Sequence, residues 1–306
     1  MKKVNVALIG YGHLGKWHAE KMAHHPLAHL VAIVEPFDKN QIIAKEKYPQ
    51  IKVVSTLEEI LPEIDAVAIV TPTSFHKNLV VQSLEAHKHV FCEKPLCVNT
   101  QELKQIEGSL QEDLVLQVGH SERFHALWDK VKDILSLWQD ERYSLRISRT
   151  SSFKARATDV DVIQDLMIHD LDLVYFLFPK AILKDMTVRG YKSVSSTWDH
   201  VEVHGEDDNK NAYSIVASRQ AAKEERSVCL TSSRGEIFID LMKEEVHYFN
   251  GKENEIFLFE RRDHLLMEHD HFYDSILNNK KAIVDFNDAK RAVETLEMLT
   301  HRLEEF

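Results

Sequence analysis

The sequence predicts an α/β protein of two domains. Over residues 1–120, short apolar strands alternate with helical stretches, and a glycine-rich turn joins the first strand to the first helix. Such alternation is typical of a doubly wound parallel sheet. After residue 120 the chain consists mostly of short strands separated by polar turns, which predicts an α+β domain with a mainly antiparallel sheet. We therefore expect domains at residues 1–120 and 121–306.

Composition limits what such a protein can do. The chain has 306 residues, 44% of them hydrophobic, which is enough for two domains with their own cores. The net charge of −11 argues against a general affinity for nucleic acid or anionic membrane. The three cysteines make no disulfide framework, and no apolar run has the length of a signal peptide or a membrane span. We expect a cytoplasmic protein.

The first strand is predicted at Val4–Ile9, an apolar run without alternation, as in a strand buried on both faces. It leads into Gly10-x-Gly12-x-x-Gly15, and a helix is predicted over residues 14–25. In this position the glycines allow a tight turn, close approach of a pyrophosphate and close helix–strand packing, while the helix N-terminus offers N–H groups to phosphates. The context predicts a dinucleotide-binding Rossmann domain.

The cofactor preference is predicted from the end of the second strand, at residues 30–34. Glu35 follows it, 20 residues after Gly15, where a carboxylate can bind ribose hydroxyls and repel a 2′-phosphate. Pro36 and Phe37 come next, without an Arg that could hold that phosphate. These residues favour NAD over NADP. The alternative is an ordinary surface Glu.

Two later strand ends carry polar groups to the same edge of the sheet. Thr71-Pro72-Thr73 and His76 follow a strand at residues 66–70, and Glu93-Lys94-Pro95 follows a strand at residues 89–92. Ligands bind beyond the carboxyl ends of parallel strands, so Lys94 is a candidate proton donor or acceptor. The alternatives are a helix N-cap at the first position and a solvated turn at the second. The residues expected to hold the cofactor are Gly10, Gly12, His13, Leu14, Gly15, Glu35, Thr71, Pro72, Thr73, His76, Glu93 and Lys94.

The second domain has one chemically distinctive segment, a predicted helix at residues 161–172. On an α-helix, Asp161, Asp165, His169 and Asp172 would share one stripe among apolar neighbours. An Asp one turn before a His can orient the ring and raise its basicity, which suits a general acid–base group. A structural His–Asp pair and a metal site are the alternatives. We expect no metal, and we expect the Glu268-His269-Asp270-His271 cluster to be a solvated helix face.

These motifs together resemble the glucose–fructose oxidoreductase / inositol dehydrogenase / MocA (Gfo/Idh/MocA) family over essentially the whole chain. The matching residues are Gly10-x-Gly12-x-x-Gly15-x-x-His18, Thr71-Pro72 with His76, Glu93-Lys94-Pro95 and Asp165-x-x-x-His169. Within the family, the chain looks most like the UDP-N-acetylglucosamine 3-dehydrogenases, on Gly119–Phe124, residues 165–172 and Ser218-Arg219 with Arg226. It departs from them in having His125-Ala126 where they have Asn-Pro.

The resemblance implies an NAD-dependent dehydrogenase that oxidises a sugar hydroxyl to a ketone, at C3 of a UDP-N-acetylhexosamine. Lys94 and His169 would manage the hydroxyl proton and Asp165 would position them. A homodimer or homotetramer is also implied. The residues expected to bind substrate are Lys94, Arg123, Arg149, Arg156, Asp165 and His169.

Four basic residues upstream of Asp165 fit an anionic substrate, since guanidinium groups bind diphosphates well. They are Arg146, Arg149, Lys154 and Arg156. The alternative is an exposed strand face with ordinary charges. Alternative functions are oxidation of inositol or a free sugar, a redox-neutral glycosidase that retains NAD, and a non-catalytic dinucleotide-binding regulator.

Overall fold

The computed structural model describes residues 3–138, 141–153 and 161–305. Its α-helices are α1 His13–His24, α2 Asp38–Lys47, α3 Thr73–Glu85, α4 Thr100–Glu107, α5 Trp128–Ser136, α6 Ile168–Leu177, α7 His264–Leu277 and α8 Phe286–Arg302. Its strands are β1 Val4–Ile9, β2 Ala28–Val34, β3 Lys52–Val54, β4 Ala66–Ile69, β5 His89–Glu93, β6 Leu116–Gly119, β7 Tyr143–Thr150, β8 Leu183–Tyr191, β9 His200–Asp207, β10 Ala212–Ser218, β11 Glu225–Ser232, β12 Gly235–Asp240, β13 Glu245–Phe249, β14 Asn254–Leu258 and β15 Leu303–Glu305. Single 3₁₀ turns lie at Leu57–Glu59, Leu61–Glu63 and Ser121–Phe124.

The chain divides into two compact units. The first combines Met1–Ser121 with Asp263–Val293, and the second combines Glu122–Arg262 with Glu294–Phe306. The expected break near residue 120 is therefore present, but the expectation that 121–306 forms one continuous domain is wrong. Segment Asp263–Val293 returns to the first unit because its apolar residues belong to that core: Phe272 and Tyr273 of α7 are fully buried there.

The first unit is built on a six-stranded sheet in the order β3-β2-β1-β4-β5-β6, with every pair parallel. Strands β1 and β4 are almost entirely buried, as their unbroken apolar sequences predict for strands covered on both faces. The order reverses between β1 and β4, and ligands bind beyond the strand ends at such a switch point. The predicted Rossmann architecture is confirmed. Helix α2 and strand β3 are not among the elements predicted from the sequence.

The second unit is built on a nine-stranded sheet in the order β14-β13-β12-β11-β7-β10-β9-β8-β15. Only the β7–β10 and β8–β15 pairs are parallel, which confirms the prediction of a mainly antiparallel sheet. Along β7, Leu145, Ile147 and Arg149 are buried, whereas Arg146 is exposed, so the two arginines lie on opposite faces of the sheet.

The helix that carries Asp165 and His169 is not a regular α-helix. A π turn at Ile163–Met167 precedes α6, so the predicted stripe of four aligned acidic and histidine side chains is wrong. Asp161 lies before the turn, where its Oδ1 accepts hydrogen bonds from the N–H groups of Ile163 and Gln164 at 3.0 and 2.9 Å. Asp161 therefore caps this helical segment.

Within the described ranges, no helix is both long enough and apolar enough to span a bilayer.

Candidate active site

The glycine turn after β1 has the geometry that its sequence predicts. Gly10 has a φ of +94°, and a Cβ there would lie 2.5 Å from the Val70 carbonyl oxygen. A Cβ at Gly15 would lie 2.1 Å from the Gly10 carbonyl oxygen, so α1 packs on the turn more closely than any side chain would allow. At Gly12 a Cβ would meet nothing within 4 Å, which leaves open space beside the first turn of α1. His13 and Leu14 begin that turn, where N–H groups are available to an anion.

A cleft of about 540 Å³ opens beside this turn, between the ends of β1, β2 and β4. Five of the expected cofactor residues line it: Gly10, Gly12, Glu35, Thr71 and Pro72. Other residues that line the cleft were not among the predicted cofactor-binding residues, including Phe37, Phe75, Asn40, Ser55 and Glu58. Among the described residues that line it, none is basic and two are acidic. A 2′-phosphate would therefore be repelled, as expected for NAD selectivity.

Glu35 is buried at the end of β2 and braces the glycine turn. Its Oε2 accepts a hydrogen bond from Tyr11 N at 2.8 Å, and its Oε1 accepts one from Phe37 N at 3.0 Å. Each carboxylate oxygen has a second lone pair, so these bonds leave capacity to accept from ribose hydroxyls. The structure gives Glu35 a bracing role that the sequence did not reveal.

His76 joins two strand-end turns. Its Nδ1 lies 2.8 Å from the Pro95 carbonyl oxygen, and its Nε2 lies 2.8 Å from the Thr71 carbonyl oxygen. The ring is almost completely buried, and burial lowers the pKa of His76 although both carbonyls oppose that effect. His76 is therefore placed to hold the turns that follow β4 and β5, behind the lining of the cleft. Thr73 is the first residue of α3.

The Glu93-Lys94-Pro95 turn lies at the carboxyl end of β5, as predicted, and its Lys94–Pro95 bond is cis. Glu93 is buried, and its Oε1 lies 3.0 Å from His18 Nε2. Burial works against ionisation of Glu93, but the hydrogen bond and charge of His18, with the charge of Lys94, hold the pKa of Glu93 below its ordinary value. Lys94, the next residue in the chain, is partly buried.

In the second unit, Asp165 lies within the π turn and His169 is the second residue of α6. Both side chains are partly exposed, although Ile163, Met167 and Ile168 around them are fully buried. A π turn shifts the register of the residues that follow it, and such turns are frequent at functional sites. The two polar residues therefore reach an accessible surface from a segment whose residues Ile163, Met167 and Ile168 belong to the core.

A buried network of charges centred on Glu122 lies beside His169. The Glu122 carboxylate is 2.8 Å from Arg149 Nη1, 2.9 Å from His125 Nε2 and 3.4 Å from Arg226 Nη1. Burial alone would raise the pKa of Glu122, but Arg149, the His125 hydrogen bond and the charge of His169 hold it well below its ordinary value. No local pattern in the sequence points to a role for Glu122, because its partners are 3 to 104 residues away in the chain.

His125, where this chain departs from the Asn-Pro of similar proteins, lies between two glutamates. Its Nε2 faces Glu122, and its Nδ1 is 2.8 Å from Glu244 Oε1. His125 thus extends the network from Glu122 to Glu244.

The arginines expected to bind substrate have carboxylate partners inside the second unit. Arg149 is 4% exposed and lies 2.8 Å from both Asp170 Oδ1 and Glu122 Oε1. Arg123 is 7% exposed and forms a bidentate pair with Asp172, at 2.8 and 2.6 Å. Burial raises the pKa of Asp170 to about 6 against the opposing charge of Arg149. Both arginines are buried in ion pairs, and the expected roles of Arg149 towards a diphosphate and of Arg123 towards the substrate stay predictions. Lys154 and Arg156 lie outside the described residues.

The Glu268–His271 cluster is the expected solvated helix face only at Asp270 and His271, which are exposed. Glu268 and His269 are almost completely buried in the first unit, and Gln117 Nε2 donates a hydrogen bond to the Glu268 carbonyl at 2.8 Å. Asp270 accepts from His25 at 2.9 Å. The error arose because the residues that cover this face of α7 are distant in sequence.

The residues of the first unit fit a bound NAD. Gly10 and Gly12 of the turn that leads into α1 line the cleft and would lie beside the pyrophosphate, and Glu35, which also lines it, would face the ribose. The Thr71 hydroxyl oxygen is buried and has no hydrogen-bond partner in the described part of the chain, so it is available to a ligand in the cleft. Together, the fold and the cleft define an NAD-binding oxidoreductase.

Comparison with known proteins also indicates an NAD-binding oxidoreductase. Residues 4–120 match the oxidoreductase family with an NAD-binding Rossmann fold, GFO_IDH_MocA. The chain is 30% identical over 298 residues to the UDP-N-acetylglucosamine 3-dehydrogenase of Acidithiobacillus ferrooxidans, covering 93% of this chain and 92% of the relative. This chain belongs to the Gfo/Idh/MocA family and is an NAD-dependent dehydrogenase.

Solved structures show the same architecture. The Acidithiobacillus ferrooxidans enzyme, GnnA, superposes with a TM-score of 0.91 at 27% identity, covering 99% of both chains. The scyllo-inositol dehydrogenase of Lactobacillus casei, solved with NAD(H) and scyllo-inositol, superposes with a TM-score of 0.84 at 21% identity, covering 99% and 97%. The scyllo-inositol 2-dehydrogenase (NAD(+)) of Bacillus subtilis is 26% identical over 322 residues, covering 94% and 90%.

Proposed function

We propose that this enzyme oxidises a hydroxyl of a nucleotide sugar to a ketone, at C3 of a UDP-N-acetylhexosamine such as UDP-N-acetylglucosamine. The observation that carries the proposal is the 30% identity to a UDP-N-acetylglucosamine 3-dehydrogenase along 93% of the chain, which includes the second unit as well as the cofactor domain. The accessible Asp165 and His169 supply chemistry that a dinucleotide-binding regulator would not need.

In the proposed mechanism, Lys94 and His169 are the acid–base groups and Asp165 positions them. The hydroxyl oxygen loses its proton to this pair while the C–H bond breaks, because hydride departure requires electron density on that oxygen. A bound NAD, held by the glycine turn and Glu35, would supply the hydride acceptor. One hydride and one proton leave the sugar, and the ketone remains.

Support for an anionic substrate comes from one guanidinium group rather than from the cluster. Arg226 keeps 45% of its side chain exposed while it lies 3.4 Å from Glu122, and it pairs across the sheet with Arg149. The Arg226 guanidinium can therefore contact a phosphate group while it keeps its contact with Glu122. The remaining parts of the proposal are a cytoplasmic location, favoured by three buried thiols, and a homo-oligomer. Size-exclusion chromatography with light scattering tests the oligomer.

The experiment that tests the function is NADH absorbance during incubation with NAD and UDP-N-acetylglucosamine, with a ketone-trapping amine present. Parallel reactions contain UDP-N-acetylgalactosamine, myo-inositol or scyllo-inositol, and Lys94→Ala is the matched control. NADH formation that depends on the UDP-sugar and on Lys94 supports the proposal. NADH formation with an inositol alone would replace it with polyol oxidation, which the similarity to inositol dehydrogenases makes the second candidate.

A further inference from the structure

A chain of buried hydrogen-bonding groups runs through the first unit from Glu93 to α7. Glu93 Oε1 lies 3.0 Å from His18 Nε2, His18 Nδ1 lies 3.0 Å from His269 Nε2, and His269 Nδ1 lies 3.3 Å from the Tyr273 hydroxyl. His18, His269 and Tyr273 are fully buried, and Glu93 is 8% exposed. Buried ionisable groups are costly unless they are paired or functional, so four of them in one line indicate a role.

When both imidazoles are neutral, every hydrogen bond in this chain of groups can be donated in the same direction, towards Glu93. Burial, the largest cause, holds the pKa of His269 well below its ordinary value. The Glu93 carboxylate can only accept, so His18 donates through Nε2 and accepts at Nδ1 from His269 Nε2. His269 then accepts from the Tyr273 hydroxyl. Each donor points towards Glu93, and both rings have the Nε2–H tautomer.

Packing fixes these groups in place. The His269 ring stacks between Phe91 and Tyr273, with ring centroids at 5.3 and 5.6 Å. A Cβ added to Gly119 of β6 would lie 3.0 Å from Glu93 Oε1, so the carboxylate fills the space that a side chain would take. The Glu93 carboxylate therefore has little room to move.

The second oxygen of Glu93 connects this chain of groups to Lys94. Glu93 Oε2 accepts a hydrogen bond from the Lys94 backbone N–H at 3.2 Å, and the charge of Lys94 acts on the same carboxylate. The other titratable groups that interact with Glu93 are Cys92 of the same strand and His76 of α3. His18 on α1 thus contacts the carboxylate, His269 on α7 contacts His18 from behind, and the carboxylate in turn holds the Lys94 backbone.

We propose that His18 and His269 are positioning residues for Lys94, acting through the Glu93 carboxylate. The inference rests on the proposed role of Lys94 in sugar oxidation. A displacement of about 1 Å at a catalytic group can cost about 100-fold in rate, so a chain of contacts that fixes this turn matters to turnover.

The first test compares His18→Leu, His18→Gln and the control His24→Leu, which changes an exposed histidine on the same helix. We expect His18→Leu to lower kcat by about 10- to 100-fold and to shift its pH profile, with KM and the NADH Kd within about threefold. A glutamine amide can donate to Glu93 as the ring does, so His18→Gln should recover most of the loss. The inference is overturned if His18→Leu matches His24→Leu in kcat and pH profile.

A second variant covers the case in which His18→Leu does not fold. Tyr273→Phe keeps the ring and its stacking and removes only the hydroxyl at the far end of the chain of groups. The loss of one hydrogen bond to His269 should lower kcat by about 2- to 10-fold and shift the pH profile in the same direction as His18→Leu. Wild-type kcat and pH profile in Tyr273→Phe would exclude α7 from the positioning role.

A measurement on the wild-type protein separates this inference from the proposed function. Imidazole ¹⁵N shifts, assigned by comparison with His18→Gln and His269→Gln, report tautomers without any substrate. Nε2–H tautomers on both rings support the chain of groups even if no sugar is oxidised. An unprotonated His18 Nε2, which could not donate to Glu93, overturns the inference even if UDP-N-acetylglucosamine is oxidised.

Discussion

A methyl group added at Gly15 tests how closely α1 must pack on the cofactor turn. In Gly15→Ala the Cβ would lie 2.1 Å from the Gly10 carbonyl oxygen, whereas real Cβ contacts essentially never fall below 3.0 Å. The helix and the turn must therefore separate by about 0.9 Å. Both contacting atoms belong to, or are fixed by, the backbone, so rotation of a side chain cannot relieve the contact.

The structure sets the size of the effect. Overpacking of this kind costs about 1–3 kcal/mol, and the displaced turn is the one that receives the pyrophosphate. Because about 1.4 kcal/mol is tenfold in affinity, a strain that NAD binding must reverse would weaken binding by roughly 5- to 150-fold. The same strain should lower the Tm by several degrees.

Gly12→Ala is the matched control. Its Cβ meets no protein atom within 4 Å, and its φ of −74° suits an L-residue, so the Tm should stay within about 1 °C of wild type. The methyl group would instead occupy the space beside the first turn of α1 and block the close approach of a pyrophosphate. Calorimetric titration with NAD and thermal unfolding followed by circular dichroism measure the two effects. Wild-type Tm and Kd in Gly15→Ala, or an equal loss of Tm in both variants, would refute the reasoning.

Further predictions concern the acid–base group, the cofactor, a buried ion pair and acid stability. Lys94→Ala should lower kcat by about 10²- to 10⁴-fold and leave the NAD Kd within a few-fold, measured by steady-state kinetics and titration. Glu35→Ala should weaken NAD and reduce its advantage over NADP, measured as the ratio of the two Kd values. Arg149→Met leaves Glu122 and Asp170 buried without their main counter-charge, so urea unfolding should show a loss of about 3–5 kcal/mol. Asp199 has a pKa lowered to about 2, because hydrogen bonds from Ser195 and three backbone N–H groups outweigh its burial. A lowered carboxylate pKa contributes stability that is present above the unfolded-state value of 3.8 and lost as pH falls towards 2, and its size here is roughly 2 kcal/mol. Asp199→Asn should therefore destabilise the protein at pH 7 and flatten the loss of stability between pH 4 and 2.

Each of these predictions has an outcome that contradicts it. Collapse of NAD binding in Lys94→Ala would make Lys94 a cofactor ligand, and an unchanged NAD preference in Glu35→Ala would remove Glu35 from the site. Arg146→Met, on the opposite face of the same strand, is the control for Arg149→Met and should change stability by no more than about 0.5 kcal/mol. Equal losses in the two arginine variants would mean that the ion pairs of Arg149 do not account for the change in the free energy of unfolding. If the free energy of unfolding of Asp199→Asn falls between pH 4 and 2 as steeply as that of wild type, the acid sensitivity belongs to other carboxylates.

The sequence by itself determined the features that depend on local pattern. Apolar runs and the glycine spacing predicted the parallel sheet, the phosphate-binding turn and the position of Glu35, because strand burial and turn geometry are encoded by neighbouring residues. The Glu93–Pro95 turn was placed at the end of its strand for the same reason. Boundaries such as those of α1 differed by one residue, since helix ends depend on caps as well as on periodicity.

The pairing of charges and the path of the chain are fixed by contacts between distant segments. The return of α7 to the first unit joins His269 to His18, which is 251 residues away, and the π turn before α6 breaks the spacing that an α-helix would impose. Arg149 was predicted to bind a diphosphate and Arg123 the substrate, because their carboxylate partners, Asp170 and Asp172, follow 21 and 49 residues later. Whether a charge faces a ligand or another side chain depends on contacts between distant segments, and no local pattern contains that information.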